Sequence, residues 1–172
     1  MHVRRQDLKV EAAERRLRQH QERGLHVDAR LFQEIRKPGQ LSLVTLETDD
    51  EFLSLVWQAI DDTRPLAPHG QPRALRDCAS RLSTFKWSFE VLVRAGYPWF
   101  RKCVPIDAAF AFEQFGWVAI TPLVRDEQRG TPHGSYYIYD GVHKSIVLAK
   151  RLLCGEAQYA PTEALLLEPR RY

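Results

Sequence analysis

The sequence predicts an α+β fold, on three observations. Apolar residues recur at helical spacing through much of the first hundred residues. After Pro98 the elements become short and alternate between helical and extended texture. The strongest β-forming run, Tyr136-Tyr137-Ile138-Tyr139, passes through Asp140-Gly141 directly into a helical pattern. These observations divide the chain into a mainly helical N-terminal region, 1–100, and a compact core, 101–172. A core of about 70 residues is marginal alone, so the helices are expected to pack on it and complete it.

The elements follow from local chemistry. Arg4 to Arg23 reads as a polar helix with a thin stripe of Leu8, Val10, Ala12, Ala13 and Leu17, stopped by Gly24. Asp28 can cap a short helix bearing Leu31, Phe32 and Ile35, ended by Lys37-Pro38-Gly39. Leu41 to Glu47 reads as a strand. Thr48 and Glu51 have capping-box spacing, and Phe52, Leu55, Val56, Ala59 and Ile60 predict an amphipathic helix over 49–61. Residues 62–73 read as a loop. Ala74 to Ala95 is the longest helical pattern, with Gly96 as its cap. Trp87, Trp99 and Phe100 read as core or interface aromatics.

In the second part, Cys103 to Ile106 reads as a strand, and Asp107 as the cap of a short helix through Phe115. Trp117 to Val124 is extended, 126–134 is a polar loop, and Ser135 to Tyr139 is a strand. Val142 to Leu153 predicts a helix burying Ile146, Val147, Ala149 and Leu153. Ala157 to Leu167 is a last extended segment.

Composition narrows the function classes. The 172 residues are 44% hydrophobic and 27% charged, ordinary for a soluble globular protein. No apolar run approaches the ~20 residues of a membrane span, and the charged N-terminus does not resemble a signal peptide. Cys78, Cys103 and Cys154 are scattered and odd in number, which fits a reducing, cytoplasmic setting and no disulfide framework. The net charge is +3, and residues 1–23 hold seven basic and four acidic side chains. All the excess therefore lies in the N-terminal segment. The neutral body argues against a large nucleic-acid face but leaves room for a small anion pocket.

The chemistry is concentrated in Asp140-Gly141-Val142-His143-Lys144-Ser145. First-turn N–H groups of a helix have no internal partners and carry partial positive charge. Gly141 lets an anion approach the backbone, and His143, Lys144 and Ser145 add donors at the same place. Together they form a candidate phosphate cradle. Asp140 is placed to accept a proton, to hold a phosphate-bound metal, or simply to cap the helix. The plainer alternative is that Asp140 caps, Gly141 turns, and His143 and Lys144 are solvated. The other histidines, His2, His20, His26, His69 and His133, fall in different segments with no zinc spacing.

This region resembles the ParB/sulfiredoxin superfamily. The run Phe115-Gly116-Trp117-Val118-Ala119-Ile120-Thr121-Pro122-Leu123-Val124-Arg125 resembles its G-x-x-x-P-L-x-V segment. Tyr137-Ile138-Tyr139-Asp140-Gly141-Val142-His143-Lys144 resembles the strand and D-G-x-H-R helix start that follow it. Val104-Pro105-Ile106-Asp107 resembles the V-x-I-D strand that opens the core, and Ala149, Arg151 and Leu152 fit the helix. The resemblance covers about residues 101–168. It implies a small mixed sheet with helices, preceded here by the helical region. The cysteine of sulfiredoxins is matched by Val142, which disfavours sulfinic-acid reduction, and the usual motif arginine is Lys144, which loses the bidentate fork. The arginine-rich box and helix-turn-helix of partition proteins are not matched.

The resemblance implies a nucleotide-binding protein using ATP, ADP or CTP with Mg2+. Hydrolysis, or phosphoryl transfer onto a small hydroxylated metabolite, would follow. Asp140 and Glu113 would be catalytic; Gly141, His143, Lys144 and Ser145 would hold phosphates, and Asp140 the metal. Two alternatives stand beside it. One is a DNA-binding or DNA-processing accessory that uses the basic N-terminal arm with Arg170 and Arg171. The other is a non-catalytic interaction module that uses the 74–95 helix and the aromatics around Trp99.

Overall fold

Five strands form one mixed sheet in the order β1-β2-β5-β3-β4: Arg4–Asp7 (β1), Gly39–Leu46 (β2), Trp117–Pro122 (β3), Tyr136–Asp140 (β4) and Thr162–Pro169 (β5). The computed structural model describes residues 4–25, 27–57, 60–111, 115–122 and 136–169. β2 pairs antiparallel with β1 and β5, β3 runs parallel to β5, and β4 pairs antiparallel with β3. The α+β expectation holds. The N-terminal region supplies two of the five strands, so both parts of the chain build the same sheet.

Side chains alternate across a strand, and that alternation divides the core. Val44, Leu46, Val118, Ile120, Ile138, Ala164 and Leu166 face one layer. That layer contains the helices Asp49–Leu53 (α3), Leu75–Thr84 (α4), Phe89–Arg94 (α5), Cys103–Ala108 (α6) and Val142–Leu153 (α7). Leu41, Ala119, Leu165 and Leu167 face the opposite layer. It contains the helices Val10–Glu22 (α1) and Ala29–Glu34 (α2), which contribute Ala13, Leu17, Leu31 and Ile35.

Several elements differ from the sequence expectation. Residues 4–7 form the edge strand β1, and the helix begins only at Val10. Thr48 and Glu51 do form a capping box, but α3 ends at Leu53 instead of reaching residue 61. Leu55 to Trp57 continue as extended chain. Val56 N–H donates to Tyr136 O at 2.8 Å, and Ile138 N–H donates to Val56 O at 3.0 Å. Edge strand β4 thereby gains a partner for its outer backbone groups, a gain that a helix at this point would forgo.

The 74–95 pattern is two helices. Lys86 takes a positive φ of 51°, and the Ser88 hydroxyl accepts from Val91 N–H to start α5. Cys103 to Ile106 is helical. A 3₁₀ turn over Pro98–Lys102 runs directly into α6. Pro105 falls in the first turn of α6, where its missing N–H costs nothing. Asp107 does not cap a helix through Phe115; it lies inside α6 and takes hydrogen bonds from Lys150 and Arg151. The strand expected to open the ParB-like core is therefore a helix. The helix α7 matches its expected bounds, though Leu153 is 39% exposed while Ser145 and Leu148 are buried. The last strand begins at Thr162, five residues later than expected.

Candidate functional site at the β4–α7 junction

Strand β4 delivers Asp140 to one end of the sheet, and Gly141 turns the chain into α7. Gly141 has φ 87°, a left-handed conformation that glycine adopts without steric cost. No side chain caps α7, so its first-turn N–H groups present partial positive charge there. The turn is fixed from the thicker layer, where Trp57 Nε1 donates to Val142 O at 3.0 Å.

Asp140 ties the junction to the other layer. Gly141 N–H donates to its Oδ1 at 2.7 Å, and Asp28 N–H reaches Oδ2 at 3.4 Å. Asp28 is itself the N-cap of α2, accepting from Arg30 N–H at 2.9 Å, as its position in the sequence predicts.

Lys144 extends from the first turn of α7 towards the loop before β3. Its ammonium donates to Phe115 O at 2.7 Å and lies 5.2 Å from the Phe115 ring centroid. Burial pulls its pKa down to about 8, against the opposing attraction of Asp140. Gly116, at φ 73°, lets the chain pass this point: a Cβ there would stand 2.9 Å from Leu25 Cδ1 and 3.8 Å from Lys144 Nζ. His20, from the last turn of α1, reaches the same place. Burial pulls its pKa down to about 4, reinforced by the positive charges of Lys144, Arg23 and Arg16.

The structure brings only part of the expected set together. Asp140, Gly141 and Lys144 converge. His143 points elsewhere, its ring stacked on Trp99 with centroids 3.9 Å apart. Successive helix residues are turned by about 100°, which is enough to send adjacent side chains to different layers. Ser145 is fully buried, and its hydroxyl donates to Gly141 O at 2.8 Å, so it does not join the cluster. Glu113 lies outside the described residues, as do the 126–134 loop, His2, His26, His133, Arg170 and Arg171. His20 and Asp28 belong to the cluster although no motif flagged them. They lie more than a hundred residues from Lys144 in sequence, and only tertiary packing unites them.

Among the described residues, no group of three or more His, Cys, Asp or Glu side chains is arranged to hold a metal ion. Mg2+ usually takes one or two carboxylates together with substrate phosphates and waters. Asp140 is the side chain at this junction that fits that role. The buried thiols do not fit a nucleophile: burial pushes Cys78 up to about 12 and also raises Cys103. No described helix is long and apolar enough to cross a membrane. Part of the basic excess of the N-terminal segment is neutralised within the fold, where Arg16 pairs with Glu163 at 2.8 Å and Arg5 with Glu168.

No known protein family, curated protein or solved structure matches the chain. The site is accordingly read from its own geometry.

Proposed function

We propose that the β4–α7 junction binds the phosphates of a nucleotide, with ATP, ADP and CTP as candidates. The observation that carries this reading is Lys144. An ammonium has three N–H donors, and among the described residues Lys144 uses one of them, on Phe115 O. It is held in a poorly solvated place beside the uncapped start of a twelve-residue helix. A half-buried cation with open donors is best answered by an anion, and the helix N-terminus adds its own attraction for phosphate. The resemblance of residues 115–122 and 136–144 to ParB/sulfiredoxin segments supports the same reading. The helical Val104–Asp107 segment does not.

The activity that fits is transfer of the terminal phosphoryl group to water or to the hydroxyl of a small acceptor. Asp140 would take the proton lost from the attacking oxygen, and the nucleotide shortened by one phosphate would leave, a diphosphate from ATP or CTP and a monophosphate from ADP. Lys144 would neutralise charge developing on the phosphoryl oxygens. A magnesium ion, when bound, would supply further charge neutralisation, with Asp140 and the nucleotide holding it.

A thermal-shift series with ATP, ADP and CTP, each with Mg2+, tests the reading. A native-state ligand raises the melting temperature. At least one nucleotide is expected to do so, and Lys144→Met is expected to remove the shift. If none of the three stabilises the protein, the nucleotide reading is wrong.

A different observation favours the interaction-module reading. Phe85 is 54% exposed and stacks on Trp87 with centroids 4.6 Å apart. The pair lies at the break between α4 and α5. Ser83 Oγ, 3.6 Å from Cys154 Sγ, marks the meeting of the C-terminal ends of α4 and α7. Light scattering over a concentration series distinguishes this case: a rising mass abolished by Phe85→Ser, with no nucleotide response, would favour it.

A further inference from the structure

A concave site lies on the α1/α2 face of the sheet, one residue along β4 from Asp140. After α2 ends at Glu34, Lys37-Pro38-Gly39 turns the chain back into β2. Between this turn and the sheet lies a cleft of about 140 Å³. Its floor follows from strand register. Leu41 is paired with Leu167 across β2 and β5, and alternation puts Thr121 of β3 and Tyr139 of β4 on the same face. All four line the cleft. Leu41 and Leu167 are buried.

The rim is charged. Tyr139 stands near enough to Glu34 that, after burial, the Glu34 carboxylate helps hold its hydroxyl protonated, and Lys37 Nζ lies 2.5 Å from Glu34 Oε1. Glu168 stands at the β5 side, already answered by Arg5. These charges are not equally screened. The Glu34 side chain is 26% exposed, whereas Lys37 is 63% exposed. A charge beside a low-dielectric wall keeps more of its field than one in water. Glu34 therefore sets the sign inside the cleft. Its pairing with Lys37 is of the exposed kind worth about 0–1 kcal/mol, so a better-buried cation can displace it.

We propose that this cleft binds a small organic cation, with its ammonium on Glu34 and an apolar body of one ring laid on Leu41, Leu167 and Tyr139. Size sets the body: an apolar cavity of about 150 Å³ takes benzene, and this one is of that order. The cleft shares no lining residue with the Asp140–Lys144 cluster, so this site and the nucleotide reading stand or fall separately.

An NMR titration of the full chain with benzylamine, benzyl alcohol and benzoate tests it. Benzylamine is expected to saturate, to shift the signals of Thr121, Tyr139 and Leu167, and to bind about tenfold tighter than the alcohol, the scale of one hydrogen bond to a charged group. Glu34→Gln is expected to erase the preference of amine over alcohol. Lys37→Ala, which keeps every floor contact, is expected to strengthen amine binding. Lys144→Met is expected to leave all three titrations unchanged. Equal binding of amine and alcohol would overturn the proposal, as would preference for benzoate, shifts centred elsewhere, or no saturable shift.

Discussion

The two faces of the sheet are built for different ends. The face under α3 to α7 is a thick aromatic core, with Trp57, Phe52, Phe89 and Phe100 fully buried. Trp57 meets Trp99 edge-on at 5.1 Å between centroids. The face under α1 and α2 is thin: two amphipathic helices cover it through a handful of aliphatic residues. Displaced ionisable groups lie on both faces, with different consequences: burial on the thick face drives Cys78, Cys103 and Tyr159 further into their neutral forms, whereas the cation-forming His20 and Lys144 gather at the margin of the thin layer. Stability is concentrated on one side of the sheet, and chemistry gathers at the margin of the other. Thin cover explains the division, because buried charge is tolerable only where solvent and other polar groups lie near.

The largest expected effect lies on the thick face. Trp57→Ala removes a fully buried ring and the hydrogen bond to Val142 O. It is expected to cost about 3–5 kcal/mol in urea unfolding. Leu31→Ala, fully buried under α2, is expected to cost nearer 2 kcal/mol, since a thin layer relaxes more easily into a cavity. Leu75→Ala, the same truncation at an equally buried site on the thick face, is expected to cost more than Leu31→Ala; equal costs for these two would mean that the layers are equally rigid, and the comparison would fail.

Lys144→Met comes next, and its effect is on binding. Losing a charged donor weakens phosphate binding by about tenfold to a hundredfold. In the unaltered protein, binding should also fall as pH rises through about 8, where the ammonium loses its proton. The stability effect has the opposite sign. Between about 8 and the ordinary lysine value of 10.5 the unfolded chain holds a proton that the folded chain has released. Stability therefore rises with pH in that window. Lys144→Met should flatten that rise in a melting-temperature series. An unchanged slope would mean that Lys144 is solvated.

The legible parts of this molecule are those where one signal acts alone. The helix α7 was fixed by the Asp-Gly turn and an uninterrupted apolar stripe, and α2 and α3 by Asp28 and Thr48 at their N-caps. The misreadings arise where two structures want the same residues. Leu55 and Val56 suit a helix stripe, but the free edge of β4 claims Val56, and Leu75 N–H at the start of α4 claims Leu55 O. Val104 and Ile106 suit a strand, but the turn that begins at Pro98 had already committed the chain to a helix. At the site, Asp140, Gly141 and Lys144 were legible because strand, turn and helix are contiguous. His20, Asp28 and the Glu34 cleft were not, because register and layer packing place them, and neither leaves a local pattern.

A smaller effect isolates His20. Its folded affinity is depressed to about 4 from the ordinary 6.5, so in that window the unfolded chain binds the extra proton. Stability is then lost as pH falls from about 6.5 to about 4. His20→Gln should make the melting temperature less sensitive to pH over that range while leaving it near its original value at pH 7. A mutant with the same acid slope would assign the loss to carboxylates instead, and the thin face would carry little electrostatic strain from His20.

The smallest effects give the sharpest test of the comparison, because two N-caps of similar strength stand one on each face. Thr48 accepts from Glu51 N–H at 3.2 Å to start α3, and Asp28 accepts from Arg30 N–H at 2.9 Å to start α2. Losing either cap by substitution with alanine is expected to cost about 1 kcal/mol. The Arg30 ion pair lost with Asp28 adds little, because Arg30 is largely in solvent. The functional consequences should diverge. Asp28 also presents its backbone N–H to Asp140 Oδ2, so loosening the start of α2 loosens the carboxylate beside Lys144. Thr48 has no such connection. With matched losses in denaturant midpoint, Asp28→Ala should weaken nucleotide binding and Thr48→Ala should not. If both weaken binding alike, global stability rather than the thin layer controls the site.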